Sequence, residues 1–331
     1  MALLIVRRIL YMIVLLAVLS VVAFLIIQLP PGDWVTTFVY QMQQRGIIVD
    51  DQMMQSLYKR FGFDRPLHAQ YLKWIGNIIL RGDFGESMTY SDTVSNLIRE
   101  RIGLSVVLSL AALLISYVLA IPIGIYSATH PRSAGDYAFT VLGFIGLATP
   151  NFLLALILMF LFQRLLGWSP GGLFSPEYLA APWSFGRVID LLKHMPVPLI
   201  VIGTAGTAAI IRILRSSLAD ELSKQYVITA RAKGVAENRI LFKYPVRIAF
   251  NPIISAVGYI LPTIVSGEAL VAIVLSLPTI GPLLLHGLSN QDMYLASGII
   301  LILGALTMVG TLVSDLFLMA IDPRIRFEAR A

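Results

Sequence analysis

The sequence predicts an all-α protein that crosses a membrane six times, and three observations carry that prediction. Of its 331 residues, 57% are hydrophobic and only 13% charged, with a mean hydropathy of +0.80, far too apolar for a soluble domain of ordinary composition. The apolar residues gather into six runs, at about 9–29, 102–127, 137–163, 194–211, 252–276 and 294–320, which as helices match a hydrocarbon layer of roughly 30 Å. The basic residues gather in loops at the ends of the runs, as expected of cytoplasmic loops. The net charge of +6 is therefore read as topology, and nucleic acid is not expected as a partner. Cysteine is absent, which removes disulfides, thiolate metal sites and cysteine nucleophiles.

In chain order, Arg7-Arg8 precede the first run, which ends in Gln28-Leu29-Pro30-Pro31-Gly32-Asp33 rather than in a small-residue cleavage site. Residues 1–29 are thus read as an uncleaved anchor with its N-terminus in the cytoplasm. Residues 30–101 form a large external region. There Asp50-Asp51 open a helix that reaches Phe61 and stops at Gly62. Asp64-Arg65-Pro66 then turn the chain into an amphipathic helix with Tyr71, Trp74, Ile75 and Ile78 on its apolar side, the two aromatics suiting a membrane interface.

Residues 102–320 form a core of five spans, in which Pro122, Pro150, Pro198 and Pro262 should kink helices or end them early. His130-Pro131-Arg132 lies inside, the Lys- and Arg-free segment 277–293 outside, and the tail 321–331, with Arg324, Arg326 and Arg330, inside.

The longest strongly charged stretch between apolar runs lies in the loop 212–250. From Ser217 to Arg247 it carries Lys224, Arg231, Lys233, Arg239, Lys243 and Arg247 against Asp220, Glu221 and Glu237. Asp220-Glu221 suit a helix N-terminus, nothing breaks a helix from Leu222 to Lys233, and Gly234 reads as a turn. Ala236-Glu237-Asn238 restart a short helix with Ile240, Leu241 and Tyr244 on one face, which runs until Pro245. A loop serving topology alone needs only charge; this one also places the small residues Thr229, Ala230 and Ala232 before a glycine.

On that order, TARAKG from Thr229 to Gly234 resembles the cytoplasmic "EAA" loop of ABC importer permeases, in the form seen in the dipeptide, oligopeptide and nickel branch. PPGD followed by GFDRPLHAQYLKWIGNIILRGDFGES resembles the first external region of the same permeases. The resemblance implies a type I ABC importer permease fold. It also implies a coupling helix, built around Asp220, Glu221, Tyr226, Thr229, Ala230, Arg231, Ala232, Lys233 and Gly234, that docks into a groove on an ATPase subunit. Counted back from Gly234, the family's EAA falls on Ile228, Thr229 and Ala230, so the acid and the first alanine are missing. The implied partners are a second permease, two ATPase subunits, an extracytoplasmic solute-binding protein and membrane lipid. No cofactor is expected in this chain, because it lacks the G-x-x-x-x-G-K-[ST] phosphate loop; ATP and Mg²⁺ would be bound by the partner subunits.

Candidate path residues are those whose polarity is costly in lipid. Glu268, within the fifth run, costs about 2.5–3.5 kcal/mol to insert and should face the bundle interior or a water-filled path; the plain alternative is a hydrogen bond to Ser266 or to a neighbouring helix. Asn151, Thr204, Thr207, Ser297 and Thr307 join Ser266 as candidates, each read otherwise as a helix-packing residue. Peptide-type relatives carry a glutamate four residues later, where this chain has Ala272, so the resemblance leaves peptide, oligosaccharide and nickel complexes open as solutes.

GWSPG at 167–171 matches a hydrolase pattern, but Pro170 after Ser169 prevents the strand-turn-helix elbow that pattern needs. A proton-coupled secondary transporter using Glu268 is the rival of another class; no second half repeats the first, and the loop at 212–250 would have no role in it.

Overall fold

A computed structural model describes residues 2–29, 31–167, 170–255 and 269–321, and the regular structure there is α-helical apart from a short 3-10 helix at Pro176–Tyr178 and a single antiparallel bridge between Glu86 and Thr93. The helices are α1 (Ala2–Gln28), α2 (Trp34–Gln44), α3 (Asp51–Phe61), α4 (Leu67–Arg81), α5 (Val94–Thr129), α6 (Ala134–Ala148) and α7 (Asn151–Leu166). There follow α8 (Phe185–His194), α9 (Pro196–Leu222), α10 (Gln225–Ala232), α11 (Glu237–Lys243), α12 (Pro245–Ala249), α13 (Ile280–Ser289) and α14 (Met293–Ile321).

Among the described residues four helices are long and apolar enough to cross a membrane, within α1, α5, α9 and α14, and the bent pair of α6 and α7 makes up to five. Residues 256–268 of the fifth expected run, 252–276, lie outside the described residues, and with them Pro262, Ser266 and Glu268, as do Ser169 and the arginines of the tail.

The expected third span is bent by 104° between α6 and α7. Pro150 brings no amide hydrogen and forces Thr149 out of the helical region, to φ −86° and ψ 119°. Pro122, by contrast, lies inside α5 without ending it.

The chain divides into two compact units, Met1–Ser105 with Thr279–Leu306, and Val106–Pro278 with Thr307–Ala331. In the first, α3 is capped as expected, the Asp50 carboxylate accepting from the Met53 amide at 2.7 Å and Gly62 closing the helix at φ +77°. Helix α2, absent from the sequence reading, starts at a reciprocal cap: Asp33 accepts from the Thr36 amide, and the Thr36 hydroxyl accepts from the Asp33 amide.

Trp74, read from the sequence as suited to a membrane interface, is 2% exposed and packs with Phe24, Trp34 and Phe61 in one core. Its ring meets Phe24 at 5.8 Å, so the indole is surrounded by protein side chains. Asp292, fully buried, accepts from the Ser87 hydroxyl at 2.6 Å, the Thr89 amide at 2.9 Å and the Leu295 amide at 3.2 Å, which ties the loop before α5 to the start of α14.

In the second unit α9 is the common partner of α6, α7, α8 and α12. It reaches eleven residues past the end of the apolar run at 211. That extension brings Leu214 and Leu218, both fully buried, onto Ala120 and Ala128 of α5 and Val246 and Ala249 of α12. Gly146 permits the close approach of α6, because a methyl group there would stand 2.6 Å from Thr204 Cγ2. Arg215 on the extension donates from Nε and Nη2 to the two oxygens of Asp136, each at 2.8 Å, and the same carboxylate accepts from the Arg132 amide at 2.9 Å.

Candidate functional site: the charged elbow

Asp220 and Glu221 do not open the elbow helix; they close α9, and the break falls at Ser223 and Lys224, where Lys224 turns extended at ψ 150°. The reason is packing: with Leu214 and Leu218 buried, continuing α9 to Leu222 keeps its apolar face covered. Tyr226 bridges the break, its hydroxyl donating to Glu221 Oε2 at 2.7 Å. Burial and that carboxylate together push the phenol pKa up, so Tyr226 stays a neutral donor throughout the physiological range.

Helix α10 then runs for eight residues, with Val227 buried beneath it and Ile228, Thr229, Arg231 and Ala232 exposed. Ala230 is half-buried, and the Thr229 hydroxyl is returned to the Gln225 carbonyl at 2.9 Å. The helix ends in a doubly bonded reversal: the Gly234 amide donates to Arg231 O at 2.9 Å and the Val235 amide to Ala230 O at 3.2 Å. Gly234 holds φ +72°, the left-handed conformation that this closure requires and that a residue without a Cβ adopts freely. Nothing lies within 4 Å of where its Cβ would stand, so backbone conformation and not crowding selects glycine there.

Across the turn Arg231 grips Glu237, Nε to Oε1 at 2.7 Å and Nη2 to Oε2 at 3.2 Å. Both side chains are substantially exposed, 46% and 66%, and such a pair is worth about 0.2–1 kcal/mol. The backbone turn sets the elbow; the ion pair trims it. Beyond it Ile240 is buried as expected and Leu241 is partly buried, but Tyr244 is 46% exposed and meets the Tyr226 ring edge-on at 6.3 Å. The short helix expected to run until Pro245 is α11: it ends at Lys243, and Tyr244, with φ and ψ of −129° and −65°, separates it from α12, which begins at Pro245. Val246, Ala249 and Ile253 carry the chain back onto α5 and α9. The elbow is thus an exposed surface that includes small residues, mounted on a buried root.

The candidate path residues are distributed unevenly. Thr204 and Thr207 line one cavity of about 280 Å³ with Ile115, Phe139, Leu142 and Ile200. Their hydroxyls are turned back to their own helix, Thr204 to the Ile200 carbonyl and Thr207 to the Gly203 carbonyl at 2.7 Å, so the cavity wall is apolar. Asn151 is the first residue of α7 after the bend, and Ser297 is fully buried within α14. Thr307, also on α14, is half-buried and its carbonyl accepts from Thr311. The sequence reading missed Arg215 and Asp136. Their signal was an arginine five residues before the expected loop helix opened by Asp220 and an acid three residues after Ser133, neither informative without the fold.

Two family models match the chain, described as "Binding-protein-dependent transport system inner membrane component" over residues 120–327 and as the N-terminal part of such membrane components over residues 1–111. The oligopeptide transport system permease protein AppB of Bacillus subtilis is 34% identical over 332 residues, covering 99% of this chain and all of that protein. A putative peptide permease protein of Brucella ovis is 34% identical, covering 93% and 94%. The di/tripeptide transport system permease protein DppB of Pseudomonas aeruginosa is 31% identical, again covering 93% and 94%. Among solved structures, the MetNI methionine ABC transporter in an inward-facing conformation superimposes with a TM-score of 0.52 at 15% identity, over 68% of this chain and 96% of that one, a likeness of fold.

Proposed function

The chain belongs to the family of binding-protein-dependent transport system inner membrane components, and from that premise we propose that it is the permease subunit of a peptide-importing ABC transporter. Peptide is supported by the names of the relatives that match it nearly end to end, the oligopeptide, di/tripeptide and putative peptide permeases. In this reading the chain pairs with a second permease to form the path, receives solute from an extracytoplasmic binding protein and draws on ATP hydrolysed by two partner subunits. Its own residues carry no covalent chemistry. Both termini and the elbow lie in the cytoplasm, and Glu268 is the candidate acid for the path.

The observation that carries the coupling role is the mounting of the elbow. Helix α10 presents Ile228, Thr229, Arg231 and Ala232 outward, while its root is buried against α5, α9 and α12, and Arg215 links α9 to α6 through Asp136. A push on α10 therefore reaches helices that cross the membrane without first being absorbed by a loose loop. Small side chains at Ala230 and Ala232 let a partner groove approach the backbone.

The test is Ala230→Trp in the complex co-expressed with its partners. The variant inserts normally but loses ATPase subunits during purification and loses ligand-stimulated ATP hydrolysis. Full retention and full stimulation would move the coupling role elsewhere on the chain.

A further inference from the structure

Helix α8 was not expected from the sequence, and it is strongly two-faced. Phe185, Val188, Ile189 and Leu192 are exposed by 81%, 40%, 38% and 60%; at about 100° per residue they share one stripe roughly 100° wide. The opposite stripe, Asp190, Leu191 and His194, is buried. That buried side is fastened: Asp190 accepts from the Ser175 amide and hydroxyl, both at 2.7 Å, and His194 Nδ1 lies 2.8 Å from the Asp190 carbonyl. The apolar stripe is therefore presented by a held helix and not by a frayed one. Just before it, Trp183 is 62% exposed, and the Arg187 guanidinium lies 4.7 Å from the centres of both the Trp183 and Phe174 rings.

We propose that the Phe185–Leu192 stripe of α8 is a lipid-binding surface that rests in the headgroup–acyl boundary of the membrane. Three observations single out lipid over a protein partner. Only Met195 separates α8 from the membrane-spanning α9, so covalent continuity holds its C-terminal end at the edge of the hydrocarbon. The stripe is flanked by an exposed tryptophan and by the exposed Lys193, side chains suited to the carbonyl and phosphate layer. Its length and two-sided pattern fit a helix lying in the interface with its apolar face about 5–10 Å deep. Docked this way, α8 fixes the height at which α9, the common partner of its unit, enters the bilayer. That the surface is the external one rests on the topology proposed above.

Because the chain has no cysteine, single cysteines can be placed at Phe185, Ile189 and Leu192 and, as a comparison, at Glu177, and labelled with bimane in the full complex in nanodiscs. Lipids bearing a doxyl group near the headgroup should quench the three stripe positions at least about twofold, lipids labelled at the chain end less, and the Glu177→Cys label little. Aqueous iodide should reverse that order. Strong iodide quenching along the stripe, or protection from both quenchers as under a protein partner, would overturn the proposal. Labelling of Glu177→Cys by an impermeant reagent only from the cytoplasmic side would leave the lipid surface intact and refute the topology instead.

Discussion

Gly234 is the residue on which the elbow turns. A valine there must hold φ near +72°, a conformation that costs a residue with a side chain about 1–3 kcal/mol and more when it is β-branched. The doubly bonded closure at Arg231 and Ala230 would give way first. Gly234→Val should leave membrane insertion unchanged and abolish ligand-stimulated ATP hydrolysis in the assembled complex; undiminished stimulation would show that the turn is not needed.

Asp190 offers a second test at this scale. Burial opposes its charge, yet the two Ser175 hydrogen bonds and the neighbouring His194 and Lys193 outweigh that opposition and hold its pKa below the ordinary carboxylate value. A lowered folded pKa means the ionised form favours the folded state. The contribution is complete above the unfolded value of about 3.9, shrinks as pH falls below it, and is gone beneath the folded pKa. Asp190→Asn should lower the melting temperature at neutral pH and flatten its decline on acidification to about pH 3. Parallel melting curves for the two proteins would remove Asp190 from the account.

At the scale of elements, α9 owes its extension past residue 211 to two kinds of contact. Leu214 and Leu218 bury apolar area, and Arg215 satisfies Asp136, which is 2% exposed. Arg215→Ala would leave that carboxylate with only the Arg132 amide and nearby serines, at a cost of about 1.5–3 kcal/mol. Arg215→Lys keeps the charge but not the paired geometry. The expected order of melting temperature is parent, Lys, Ala, with transport falling in the same order, since the link between α6 and α9 loosens. An alanine variant as stable and active as the parent would show that the leucines alone hold the extension. The bend between α6 and α7 belongs to this scale too: residues 137–163 carry no charged side chain, and one proline with its constrained predecessor decides that they form two helices instead of one straight span.

For the whole molecule, the energy source separates the proposed machine from a proton-driven carrier. Uptake of a labelled peptide by cells or proteoliposomes carrying the complete system should be abolished by vanadate and survive a protonophore. The opposite pattern would return Glu268 to the role of proton carrier.

Much of this was legible in the chain itself, because hydropathy, positive charge between the runs, the Asp50 and Gly62 caps and the Gly234 turn are set by side chains acting within a few residues of themselves. Those features place the spans and the elbow wherever the rest of the chain goes. Other features were not legible, since each depends on a partner remote in sequence. Trp74 is interfacial by type but buried by the aromatic cluster around Phe24 and Phe61. Asp220 and Glu221 look like a helix start but end α9, because Leu214 and Leu218 find α5 and α12. Arg215 reads as the start of a cytoplasmic loop until Asp136, 79 residues away in the chain, neutralises it. Local chemistry determined which segments are helices and where they turn; only the tertiary structure decided how far each helix runs and which face it buries, because burial is a property of pairs of segments and not of either one.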